Sequence, residues 1–286
     1  MARRYRMLRF VESSLLDCSC LNQSSKLDST VSHQRTDMIH HTDLHDLLPG
    51  LVPFPTEVFA REQPWLAGHL LPLLQIDLGV LRPELAGQAA TLLCPIEPYE
   101  GCIGDDTTAH HNAFTGINWI AFELTADNRM RFLGTQEYFL GETVEGEEAR
   151  AHSVEMRESH AKAHAHFLQH GRLASCSRYG NGELDEQAWL QQLGGPIWFG
   201  NWSDYAPLPA AFQLQDLAGY RQRGSLRFRN DSSQLPDDGL LLTRDGNPFF
   251  HVASVPASHW CAAGADAIVM FYEPASRTVL FTFDWS

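Results

Sequence analysis

The sequence predicts an α+β protein: mainly antiparallel, hairpin-rich sheets with a few helices. Three observations carry this reading. Short apolar runs recur along the chain and are joined by turn-type residues rather than by helical crossovers. In the last third, Asp245-Gly246 and Pro274-Ala275-Ser276-Arg277 each separate two apolar runs, which is the hairpin pattern. Only 152–170 and 183–193 carry a helical signal.

Residues 1–37 are polar and Ser-rich after an arginine-bearing start, and are expected to be a disordered N-terminal extension with Met38 as the natural beginning. Arg3, Arg4, Arg6 and Arg9 imitate a targeting signal, but the stretch from Phe10 to Asp17 is too short and polar for a signal core. The remainder, 38–286, is expected to be a single α+β domain. His40–Leu48 is amphipathic and stops at Pro49-Gly50. Leu70–Leu78 reads as a buried strand with Thr91–Pro95 as its partner. Residues 96–116 have no period and read as a loop. Ile117–Leu124 and Met130–Leu133 read as a hairpin across Thr125-Ala126-Asp127-Asn128.

His152–His170 lacks Gly and Pro, and Gly171 stands where a C-terminal cap belongs. At about 100° per residue, Met156, His160, His164, Phe167 and Leu168 fall on one side. A second helix is expected over Glu183–Leu193, ended by Gly194-Gly195-Pro196. Then come two hairpins. Leu240–Thr243 and Phe249–Val252 flank the Asp-Gly turn. Ala267–Glu273 and Thr278–Trp285 form the last pair, with Val279, Phe281, Phe283 and Trp285 on one face. Leu73–Leu78 echoes Phe212–Leu217, which divides the domain into two candidate related halves, 50–170 and 171–286.

Charge narrows the function classes. The chain carries 21 basic and 35 acidic residues, a net of −14. Residues 1–37 hold six of the basic and four of the acidic ones, so subtraction leaves 15 against 31 in 38–286, a net of −16. Such a body repels phosphate backbones and attracts a basic protein, so a protein partner is expected and nucleic acid is not. No apolar run reaches the roughly 20 residues of a membrane helix, and no membrane association is expected. The six cysteines include no CxxC pair and fit free thiols in a cytoplasmic protein.

No phosphate-binding glycine loop, GxSxG elbow or HExxH helix is present, so the reading leans away from an enzyme. Two constellations could still hold a divalent metal. His160 and His164 lie four apart on the expected helix, as do His166 and His170, and that spacing lets two imidazoles face one ion. The loop bearing Asp105, Asp106, His110 and His111 combines carboxylates and imidazoles, which suits an ion or acid–base work. A metal-dependent enzyme using the Asp105–His111 loop is therefore the alternative function. No other cofactor is implied. Separately, Trp198, Trp202 and Tyr205 cluster after Gly194-Gly195-Pro196, and as exposed aromatics they would anchor a partner.

Several short pieces resemble the YwqG family of uncharacterised bacterial proteins. They are Leu193-Gly194-Gly195-Pro196, the strand ending Gln215-Asp216-Leu217, Leu235-Pro236-Asp237-Asp238-Gly239-Leu240-Leu241, the earlier Leu74-Gln75-Ile76-Asp77-Leu78 and the closing Phe281–Ser286. The resemblance covers about half of 50–286. It departs from the family at Pro196, which follows Gly-Gly directly, and in a first half without a Gly-Gly step. It implies an α+β fold of related halves and no established activity. Family members that sit beside bacterial toxin systems suggest an immunity-type protein, which binds and neutralises a toxin. The acidic body suits a basic toxin as the partner.

Overall fold

Apolar runs that adjoin in the sequence pair with one another through tight turns, as antiparallel hairpins do. The structure is a computed structural model that describes residues 40–141, 146–176, 183–195, 197, 208–216 and 240–285. All of these belong to one unit, Met38–Ser286. Its strands are β1 (His40–Leu44), β2 (Leu51–Pro53), β3 (Leu70–Asp77), β4 (Ala89–Pro95), β5 (Trp119–Leu124) and β6 (Met130–Phe132). Helix α1 (Glu147–His170) comes next. Then follow β7 (Ala174–Ser175), β8 (Asp185–Glu186), β9 (Leu190–Gly194), β10 (Phe212–Asp216), β11 (Leu240–Arg244), β12 (Asn247–Pro248), β13 (Phe250–Val255), β14 (Ala267–Glu273) and β15 (Thr278–Asp284).

A seven-stranded antiparallel sheet runs in the order β1-β9-β13-β14-β15-β5-β6. Two three-stranded sheets, β2-β3-β4 and β10-β11-β12, and the small pair β7-β8 complete the pairing. The expected hairpins are present: β3 with β4, β5 with β6 and β14 with β15. The Asp245-Gly246 turn closes Arg244 onto Asn247, and Phe249 N still donates to Leu242 O at 2.9 Å. From Phe250 the chain leaves this hairpin and enters the large sheet beside β14.

The large sheet is buried on both faces. Val279, Phe281 and Phe283 point into the main core with Ile120, Phe122, Met270 and Tyr272. Leu280 points the other way, into a second core with Trp119, Ala121, Val269, Phe271, Phe212, Leu242 and Phe249. The β2-β3-β4 sheet and α1 supply side chains to the first core, and β10 and β11 to the second. That explains the near-continuous apolar runs of β14 and β15, where an open antiparallel sheet would alternate with polar residues.

Two expectations about helices are corrected. Glu183–Leu193 is not helical: it holds β8 and β9. Leu190 and Leu193 are buried, and β9 pairs with β1 on one side and β13 on the other, so strand pairing overrides a helix-favouring composition. Among the described residues α1 is the one α-helix, beside short 3₁₀ turns. It starts at Glu147 rather than His152, with Glu147 and Glu148 favourably placed in its first turn, and ends at Gly171 with φ +70° as expected. Its buried side is His152, Met156, Ser159 and Ala163, roughly a quarter turn from the expected one. Leu168 is 73% exposed. The helix lies close to the backbone after β13, where Ala262 N donates to Ser159 Oγ at 2.8 Å. Close approach requires small side chains, and hydropathy does not mark them as core.

No helix among the described residues is long and apolar enough to cross a membrane. The expectation for 1–37 lies outside the described residues.

Candidate functional site

The Asp105–His111 loop joins β4 to β5 and is built on Tyr138, which burial holds neutral. Thr107 Oγ1 donates to Tyr138 O at 2.7 Å, and the Tyr138 hydroxyl donates to Gly116 O at 2.9 Å. His111 places Nε2 2.8 Å from Gly104 O, with its ring 5.6 Å from the Tyr138 ring. A carbonyl only accepts, so His111 Nε2 carries the hydrogen there. Asp105, Asp106 and His110 are exposed. Cys102, behind them, has its thiol pushed up by burial and by the Asp105 charge.

The helix histidines stand elsewhere. His160 donates from Nε2 to Pro72 O at 3.1 Å and tilts against Phe54, 5.2 Å away. Burial pushes its imidazole down to about 4. His164 stacks on the same Phe54 at 4.6 Å. The His166 and His170 rings lie 4.4 Å apart. So the structure brings His160 and His164 together on one phenylalanine, and Asp105, Asp106, His110 and His111 together in one loop. Among the described residues no three His, Cys, Asp or Glu side chains are arranged to hold a metal ion. Trp198, Trp202 and Tyr205 lie outside the described residues.

Three buried groups escaped the sequence reading. Glu97, in the 96–116 loop, has its carboxyl pushed up to about 7 by burial, against the pull of two backbone donors. It lies 4.0 Å from His69. His251, on β13, places Nδ1 3.2 Å from Gly194 O, and burial pushes it down to about 4. Its Nε2 has no hydrogen-bond partner among the described residues. Cys94 and Cys261 bring their sulfurs to 4.0 Å in the core, and that contact, with burial, pushes the Cys94 thiol well up. Each pair joins residues from separate strands or turns, and no local spacing announces it. Cys94, Cys102 and Cys261 are thiols outside any disulfide.

Most described arginines make contacts within the molecule, and Arg131 and Arg172 do so at the surface. Arg129 pairs with Glu57 and Asp127, and Arg131 with Glu62 and Glu123. Arg172 pairs with Glu186. Arg157 and Arg277 donate to backbone carbonyls. Arg82 lies over Phe250, and Arg244 over Phe114. Glu100, Asp105, Asp106, Glu147 and Glu148 are exposed, and among the described residues none of the five is in an ion pair. They occupy the β4–β5 loop and the first turn of α1.

Comparison with family models, curated proteins and solved structures finds no match.

Proposed function

We propose that this chain is a cytosolic protein-binding protein of the immunity type, distantly related to the YwqG family, which receives a basic toxin on its acidic body. The carrying observation is the charge economy of the surface. Glu100, Asp105, Asp106, Glu147 and Glu148 are exposed and, among the described residues, stand outside any ion pair. Unpaired carboxylates attract a cationic partner and speed its docking. Relation of the halves 50–170 and 171–286 is part of the same proposal. Its support is that both echoing segments, in β3 and β10, open antiparallel pairs, with β4 and β11.

The test is binding and rescue. Purified chain is titrated with the product of a toxin-like gene beside its own, and both are co-expressed. The expected result is a complex whose association slows with added salt, and protection of the host. The double variant D105K/D106K is expected to slow association by about tenfold while leaving the chain folded. Absence of both complex and protection would overturn the proposal.

A further inference from the structure

β3 and β4 end together: Leu70 pairs with Pro95, and Ile96 N donates to His69 O at 2.9 Å. His69 and Glu97, just beyond, turn their side chains to one spot, with Nδ1 4.0 Å from Oε1 and both side chains almost wholly buried. Each also grips the segment that leads toward α1. Leu140 N donates to Glu97 Oε1 at 3.0 Å, and Gly141 N donates to Oε2 at 3.2 Å. The His69 ring stacks on Phe139 at 4.7 Å and fills the space a Cβ on Gly141 would need. We propose that His69 and Glu97 form a singly protonated clasp on Phe139–Gly141, which carries one proton in all and is thereby indifferent to pH over the middle range.

The reason is charge. With no proton the pair leaves a bare carboxylate in the interior, and with two it leaves a bare imidazolium. One proton makes it neutral overall, whichever atom carries it. Burial pushes the Glu97 carboxyl up to about 7, and burial together with the nearby Arg157 charge pushes the His69 imidazole down. When the clasp opens, the groups return to their ordinary values of 4.5 and 6.5. Between those two values the open form also holds one proton, now on His69. Closed and open forms then bind equal numbers of protons, and opening has no pH dependence.

Each member alone behaves otherwise. Glu97 alone favours opening as pH rises from 4.5 toward 7, because its closed-state value is raised. His69 alone favours opening as pH falls below 6.5, because its value is lowered. Three other groups face the pair. Arg157 of α1 spends its guanidinium on Ala67 O and Gly68 O. Tyr138 is held neutral by burial, and His152 of α1 places Nε2 2.9 Å from Ile96 O.

The test is amide exchange at Leu140 and Gly141 in the full chain, corrected for the intrinsic rate, from pH 4.5 to 6.5. The amide of Phe281 in the large sheet is the reference. Wild-type protection is expected to stay within about twofold across this window. H69F, which keeps a ring against Phe139, is expected to lose protection as pH rises. E97Q is expected to lose it as pH falls, each by up to about tenfold per pH unit. Slopes of the same sign in both variants, flat variants, or a wild-type slope as steep as either variant's overturns the proposal.

Discussion

Gly104 has φ +82°, and a Cβ there would lie 2.6 Å from the Tyr138 hydroxyl oxygen. Gly87 has nearly the same φ, +83°, with nothing within 4 Å of its would-be Cβ. The pair separates backbone strain from side-chain collision. Gly87→Ala is expected to cost about 1 kcal/mol, and Gly104→Ala about 2–3 kcal/mol, read as shifts in the urea midpoint. At this scale the sequence was legible only for residue types. Asp105, Asp106, His110 and His111 do share a loop. But Tyr138, which holds that loop from the far side of β5 and β6, is 27 residues beyond His111 and carries no local signal. His160 and His164 do face one way, but toward Phe54 and a β3 carbonyl. A four-residue spacing fixes a shared direction and says nothing of what lies there.

For elements, a helix reports its orientation through what truncation costs. Met156 is fully buried against the main core and Leu168 is 73% exposed. Met156→Ala is expected to destabilise by about 2–5 kcal/mol, and Leu168→Ala by under about 0.5 kcal/mol, by chemical unfolding. Comparable losses would return the helix to the orientation its hydropathy suggests. The existence of α1 and its glycine end were readable, because a long run without Gly or Pro and a left-handed cap are local features. Its buried side was not, since Ser159 and Ala163 face inward for their size. The opposite failure occurred at β9. Residues 183–193 have helix-favouring composition, and only their place between β1 and β13 makes them a strand. Hairpins fared best. Turn and both strands lie in one window there, as at β14 and β15.

The whole molecule carries its pH response in buried imidazoles. His160 and His251 are each pushed down to about 4 from 6.5 by burial. The unfolded chain therefore binds protons that the folded one refuses between those values. Stability is fully present above 6.5 and is lost as pH falls toward 4, by up to about 1.4 kcal/mol per pH unit from each group. Glu97 acts in the opposite direction over 4.5–7, and His69 offsets it. Urea midpoints are expected to fall steadily from pH 6.5 to 4, and His160→Phe to lessen that slope; an unchanged slope would remove His160 from the account. The composition showed an acidic body of ordinary apolar content. It did not show that the large sheet is covered on both faces, because which hairpins stack on which is a contest between surfaces far apart in the chain.

That sheet also has a history in time. β15 is the strand that joins β14 to β5. β5 ends at Leu124 and β15 begins at Thr278, so on a ribosome β5 and β6 emerge and wait for their neighbour. At about 5–20 residues per second the wait is roughly 10–30 s. During it Trp119 and Phe122 lack the strand that pairs beside them. A newborn chain thus carries an open sheet edge at β5 until β15 is made, and the β14–β15 hairpin is what ends that exposure.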